Sequence, residues 1–170
     1  MFLKFVVRDI ALLICCALLW QYALPQAAIL NSWLSIPLQV GVALLTTLVG
    51  FLVHEWGHLL GALAYRARVY APHRWYELFL FHFDGRNNDA RQFIAMSIGG
   101  FIASALVVVV LLTLLPLGTL AGIMALVFGG LGVLATFVLE FPTTWRVMRG
   151  APLPSGFVYE PFDASGVAGG

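Results

Sequence analysis

Charge is what this 170-residue chain has least of: Asp, Glu, Lys and Arg make up 10% of it, while 61% is hydrophobic. About a quarter of an ordinary soluble domain is charged, so the balance excludes that class and leaves the membrane as the solvent that suits the chain. The net charge is only +1, and without a basic excess nothing points to a nucleic-acid partner. Cysteine is nearly absent. Cys15 and Cys16 are neighbours, and neighbouring side chains on a helix point about 100° apart, which argues against a disulfide between them. With no CxxC and no Cys/His cluster, they read as small packing or lipid-facing residues, with palmitoylation the alternative. No internal repeat and no soluble domain is visible.

What the chain has is long apolar runs. Four stretches, Ile10 to Leu24, Ile36 to Tyr65, Phe93 to Leu115 and Leu117 to Leu139, compare with a need for about 20 residues per span. The expected fold is an all-α integral membrane protein, a bundle of about four transmembrane helices occupying residues 1–149, its partner the lipid bilayer. The first run is the shortest and also fits a secretory signal, with Lys4 and Arg8 before it and Ala-Leu-Pro-Gln-Ala-Ala after it. Trp20 and Tyr22, placed as interfacial anchors, favour a retained span.

All nine basic residues fall on one side of such a bundle. Lys4 and Arg8 precede the first run; Arg66, Arg68, Arg74, Arg86 and Arg91 lie between the second and third; Arg146 and Arg149 follow the fourth. The positive-inside rule makes both termini and the middle loop cytoplasmic. Within that loop, Trp75 to Phe83 is too apolar for a free loop and too short to span. It is expected to be an interfacial or re-entrant segment between the second and third helices. After Glu140, Pro142, Pro152, Pro154 and Pro161 with several glycines describe an irregular tail, given as residues 150–170. Gly118-x-x-x-Gly122 and Gly99-Gly100 read as close helix-packing points.

One pattern carries chemistry. His54-Glu55-Trp56-Gly57-His58 is an HExxH sequence inside the second run. Residues four apart share a helix face, so His54 and His58 can offer two imidazoles to one cation. Glu55 can then serve as general base toward a water activated by that cation, and the reaction implied is peptide hydrolysis. Ionisable groups near mid-membrane cost about 2.5–3.5 kcal/mol each on insertion scales, so three in five residues call for a metal or partners. Trp56 and Gly57 read as a packing side chain and a close-approach point.

The stretch Phe51-Leu-Val-His-Glu-Trp-Gly-His-Leu-Leu-Gly-Ala-Leu-Ala-Tyr65, followed by Arg66-Ala-Arg-Val-Tyr70, resembles the site-2 protease family of intramembrane zinc metalloproteases. Phe93 to Leu106, with its small residues, looks like the opening of that family's next core helix, and the resemblance covers roughly Leu48 to Leu139. It implies one zinc ion and a membrane-anchored protein substrate, in a bacterial inner membrane. Two positions depart from the family's pattern. Gly99-Gly100-Phe-Ile-Ala103 stands where Gly-Pro and a later Asn are usual, and Leu153-Pro154-Ser155-Gly156 has Ser where the family's Asp ligand is expected.

A catalytic zinc takes three protein ligands and keeps one open position. Glu140, the only ionisable residue at the fourth run, precedes Pro142 much as the family's polar residue precedes its Pro, and is the leading third ligand. Asp84, in Phe83-Asp84-Gly85, is the alternative, and His73 and His82 read as interfacial histidines. The rival reading is a non-catalytic helical subunit or assembly factor of a larger membrane complex, with a structural or vestigial metal site. A metal or proton transporter is a third.

Overall fold

The computed structural model describes residues 2–26 and 33–154. Helix α1 runs Leu3–Leu18 and passes directly into a π-helical turn, Leu19–Ala23. Then come α2, Ser35–Ala64; two short strands, β1 (Val69–Tyr70) and β2 (His82–Phe83); α3, Ala90–Leu114; and α4, Leu120–Met148. Among the described residues, α2, α3 and α4 are long and apolar enough to cross a membrane. The thirty residues of α2 reach about 45 Å at 1.5 Å per residue. The sixteen of α1 fall short of the usual span length. The tail expected at 150–170 is described only as far as Pro154, where residues 151–154 are irregular.

At the centre stands α2, packed along α3 and α4, with α1 laid against its other side. The α2–α3 crossing is close because small residues meet there. A Cβ on Gly57 would stand 2.5 Å from Ala103 Cβ and from Gly99 O, and one on Gly61 would strike the Ala95 carbonyl. Leucine, valine and isoleucine cover the outward faces, including Leu44, Leu60, Val109, Leu131 and Val138, as lipid contact requires. Gly118 does not join this packing: it precedes α4 and has nothing within 4 Å, while Gly122 faces Pro116 and Thr119 of its own turn. The Gly118-x-x-x-Gly122 pattern belongs to a helix start.

Two expectations change. The fold is helical but not purely so, because β1 and β2 pair antiparallel, Val69 opposite Phe83 and Tyr70 opposite His82. The fourth helix also does not stop at Leu139; it runs through Pro142 to Met148. Proline removes one intrahelical hydrogen bond, and the turns on both sides are held by α2, α3 and the cluster around Val147. Both α2 and α4 end in the same reversal. After α2, Ala67 N–H bonds Ala62 O and Arg66 N–H bonds Leu63 O, both at 2.9 Å; after α4, Ala151 pairs with Arg146 and Gly150 with Val147, both at 3.0 Å. Each is a Schellman cap, whose pivot must be left-handed. Gly150 meets that with φ 91°, and Arg66 meets it at φ 55° despite its side chain.

These caps lie at one end of the bundle. Ala62, Ala67, Phe83, Phe93 and Val147 form one buried cluster there, and Lys4 reaches the carbonyls of Pro72 and His73. The starts of α1 and α3 and the ends of α2 and α4 therefore share a face, and the basic residues at those four termini gather on it.

Candidate metal centre

The two histidines sit one turn apart on α2, both buried. Their outer nitrogens are each committed to α3. His58 Nδ1 lies 2.9 Å from Met96 O, and His54 Nδ1 lies 3.1 Å from Gly100 O and 2.9 Å from Ser104 Oγ. A backbone carbonyl only accepts, so each Nδ1 carries the proton and donates it. In the neutral imidazole the lone pair then sits on Nε2, the arrangement in which outer partners orient metal-binding imidazoles.

Those Nε2 atoms face one another at 2.9 Å, and Glu140 of α4 faces both. Its Oε1 is 3.4 Å from His54 Nε2 and its Oε2 is 3.2 Å from His58 Nε2. His54, His58 and Glu140 form a group able to hold a metal ion, with ligand atoms all within 4.8 Å of one another. Metal–ligand bonds of about 2.0–2.1 Å put the corners of a tetrahedron about 3.3 Å apart. Each histidine lies about that far from one carboxylate oxygen, His54 from Oε1 and His58 from Oε2, and the histidine pair needs to open by about 0.4 Å. The donor set therefore fits a small cation. Without one, two lone pairs at 2.9 Å repel unless a proton stands between them.

Gly100 makes the arrangement possible. A Cβ there would run into the His58 ring, 2.5 Å from Nε2 and 2.6 Å from Nδ1. The helix whose carbonyls orient the imidazoles thus lacks a side chain where the ring must lie.

Glu55, also buried, borders the same cavity as His58 and Glu140. That cavity holds about 440 Å³ and is walled by Phe79, Phe81, Phe83, Phe93, Met96 and Leu139, with Ser97, Thr143 and Thr144 as polar edges. The ring of Phe79 stands edge-on to Phe51 of α2, centroids 6.1 Å apart. The aromatic segment between β1 and β2 thus folds back over the motif, with Leu80 wholly buried.

Asp84 is not part of the group. Its carboxylate accepts from Asn87 Nδ2 at 2.8 Å, Tyr70 Oη at 3.0 Å and the amides of Arg86 and Asn87 at 3.1 Å. It closes the turn after β2. The Asn87 amide foremost, then the Tyr70 hydroxyl, hold it below the ordinary carboxylate range against the opposing effect of burial. His73 is exposed, and His82 lies in β2 on the cavity wall. Sequence reasoning assigned no role to Ser104 or Met96 O, nor to Asp9, which accepts from Trp56 Nε1 at 2.8 Å, and it read Gly100 only as a helix-packing point. The adjacency of Gly99 and Gly100 was the one available signal.

The chain matches no family model, no curated protein and no solved structure.

Proposed function

We propose that the protein is an intramembrane zinc metallopeptidase that cleaves a membrane-anchored protein from the side bearing its basic residues. One observation supports this most. Two imidazole nitrogens and a carboxylate converge within 4.8 Å of one another on the edge of a cavity that another buried carboxylate, Glu55, also borders. A fully structural zinc site would be closed by four ligands; here three protein groups face a cavity large enough for an extended peptide segment.

In this reading His54, His58 and Glu140 would hold the ion, which would supply a water acidified toward neutrality. Glu55 would take the attacking water's proton and return it to the departing amine. The aromatic wall keeps bulk solvent from the substrate's apolar residues. A helix hides its peptide bonds, so the substrate must enter extended, and the β1–β2 segment offers an edge for strand addition. The resemblance to site-2 proteases points the same way. With α1 and its π turn as a fourth span, the positive-inside rule makes both termini cytoplasmic, and the chain's size and resemblance suit a bacterial inner membrane.

The test is zinc content and cleavage together. Protein purified in detergent without chelator should hold near-stoichiometric zinc. It should cut an apolar peptide of about 25 residues, long enough to span, carrying a central Gly-Pro pair to loosen its helix. Glu55→Gln should keep the zinc and lose the cleavage. Zinc that stays bound while neither form cuts would favour the structural-subunit reading, and no zinc uptake at all would remove the metal from the account.

A further inference from the structure

The segment over Glu55 is irregular chain, and such chain stays in place only where its carbonyls and amides find partners. Those partners come from α1. Lys4 Nζ donates to Pro72 O at 2.8 Å and His73 O at 2.7 Å. One turn on, Arg8 Nη1 donates to Trp75 O at 2.8 Å and Glu77 O at 2.5 Å. Both cations lie over the ring of Phe5, 4.9 and 5.0 Å from its centroid, and Phe5 is fully buried beneath them. Two side chains at i and i+4 thus capture four main-chain oxygens of a single stretch.

The clasp is also tied to the motif helix. Asp9 Oδ1 receives Arg8 Nε at 2.6 Å and Asp9 Oδ2 receives Trp56 Nε1 at 2.8 Å. Trp56 directly follows Glu55. Two residues beyond Glu77, the same segment sets Phe79 against Phe51 of α2 and on the wall of the cavity that Glu55 borders. The contacts form a closed circuit: Trp56, Asp9, Arg8, the carbonyls of Trp75 and Glu77, Phe79, and back to α2 at Phe51. Arg8 Nη2 is buried without a hydrogen-bond partner among the described residues, a cost this circuit carries.

We propose that Arg8 is a positioning residue: gripping Trp75 O and Glu77 O, it holds Phe79 and Phe81 in place as the wall of the cavity that Glu55 borders, and Asp9 registers that grip on α2 through Trp56. The inference rests on Glu55 acting as the base. A carboxylate that must meet a water's proton works from one orientation, and a wall held in place fixes the shape of the cavity it faces.

The experiment compares full-length wild type with Arg8→Gln, Arg8→Lys and Lys4→Gln in detergent, by amide hydrogen exchange, zinc content and cleavage of the Gly-Pro peptide. Losing a charge-assisted hydrogen bond should speed exchange across 71–81 about tenfold or more in Arg8→Gln. Zinc content should stay at the wild-type level, and kcat should fall with KM nearly constant. Arg8→Lys should recover part of both changes, because an ammonium can still donate to two carbonyls. Lys4 is exposed, so Lys4→Gln gives the same direction in exchange even if Arg8→Gln fails to fold. Unchanged exchange in both glutamine variants overturns the clasp. A loosened segment with wild-type kcat overturns the positioning role. Exchange and zinc need no substrate, so a wild type that cuts nothing would sink the peptidase reading while exchange alone still decided whether α1 holds the segment.

Discussion

Gly100→Ala should separate the metal site from the fold around it. The added methyl would sit 2.5–2.6 Å from the His58 ring nitrogens, whereas non-bonded carbon contacts settle near 3.5–4.0 Å. The ring must therefore retreat by about 1 Å or turn away from Met96 O. Metal–ligand distances tolerate about 0.2 Å, so either response withdraws Nε2 from the group formed with His54 and Glu140. Losing an orienting partner alone typically costs 10–100-fold in metal affinity; displacing a ligand should cost about 100-fold or more. Overpacking adds a stability loss of about 1–3 kcal/mol. The control is Gly130→Ala on the outer face of α4, where a Cβ meets nothing within 4 Å and helix propensity alone favours alanine by about 1 kcal/mol. The assay is zinc competition against a chromophoric chelator, beside thermal unfolding with and without zinc. A Gly100→Ala protein binding zinc within threefold of wild type would refute the packing argument and the ligand role of His58 with it.

Other outcomes follow from the same coordinates. Glu140→Gln should weaken zinc binding at least tenfold more than Ser104→Ala does, since Ser104→Ala leaves His54 Nδ1 its bond to Gly100 O and should cost no more than about tenfold; chelator competition ranks the two. Arg66→Gly should raise stability by about 0.5–1 kcal/mol, because relief of the left-handed strain at φ 55° outweighs the added freedom of the unfolded chain; a lower melting temperature would count against it. Asp84 is held below its ordinary value of 3.8, chiefly by the Asn87 amide. Its contribution is therefore complete above that pH and lost as pH falls through the lower folded value. The stability gap between wild type and Asp84→Asn should accordingly narrow in acid, and a gap constant from neutral pH down to about pH 2 would contradict the assignment.

Much of this was legible because two of its parts are local. Long apolar runs announce spans without reference to any partner, and the i, i+4 pairing of His54 and His58 follows from the helix itself. The end of α4 was less legible, because proline normally closes a helix and only tertiary packing around Thr144 and Val147 carries the chain through Pro142. Glu140 consequently lies eight residues before that helix end, level with the histidines and not at an interface. The hairpin of β1 and β2 was not legible at all, since two-residue strands have no periodicity. Nor were Met96 O, Gly100 and Ser104: what they contribute is a position opposite an imidazole on another helix, and no spacing within one segment encodes that.

Charge accounting gives a further reason to favour a divalent ion. Acting as metal ligands, with each Nδ1 proton donated to α3, His54 and His58 are neutral, while Glu140 and Glu55, when ionised, bring two negative charges into a region walled by phenylalanine, methionine and leucine. The basic residues cannot cancel them: Lys4 and Arg8 are spent on carbonyl oxygens and Asp9, and the other basic residues lie at or beyond the helix ends. A proton between the two Nε2 atoms would relieve their repulsion and leave one carboxylate uncompensated, at a cost of several kcal/mol in such surroundings. A doubly charged ion relieves the repulsion and brings the sum to zero. Zinc also suits two imidazoles and a carboxylate, and Mg²⁺ and Ca²⁺, which prefer oxygen ligands, should not compete for the site at equal concentration.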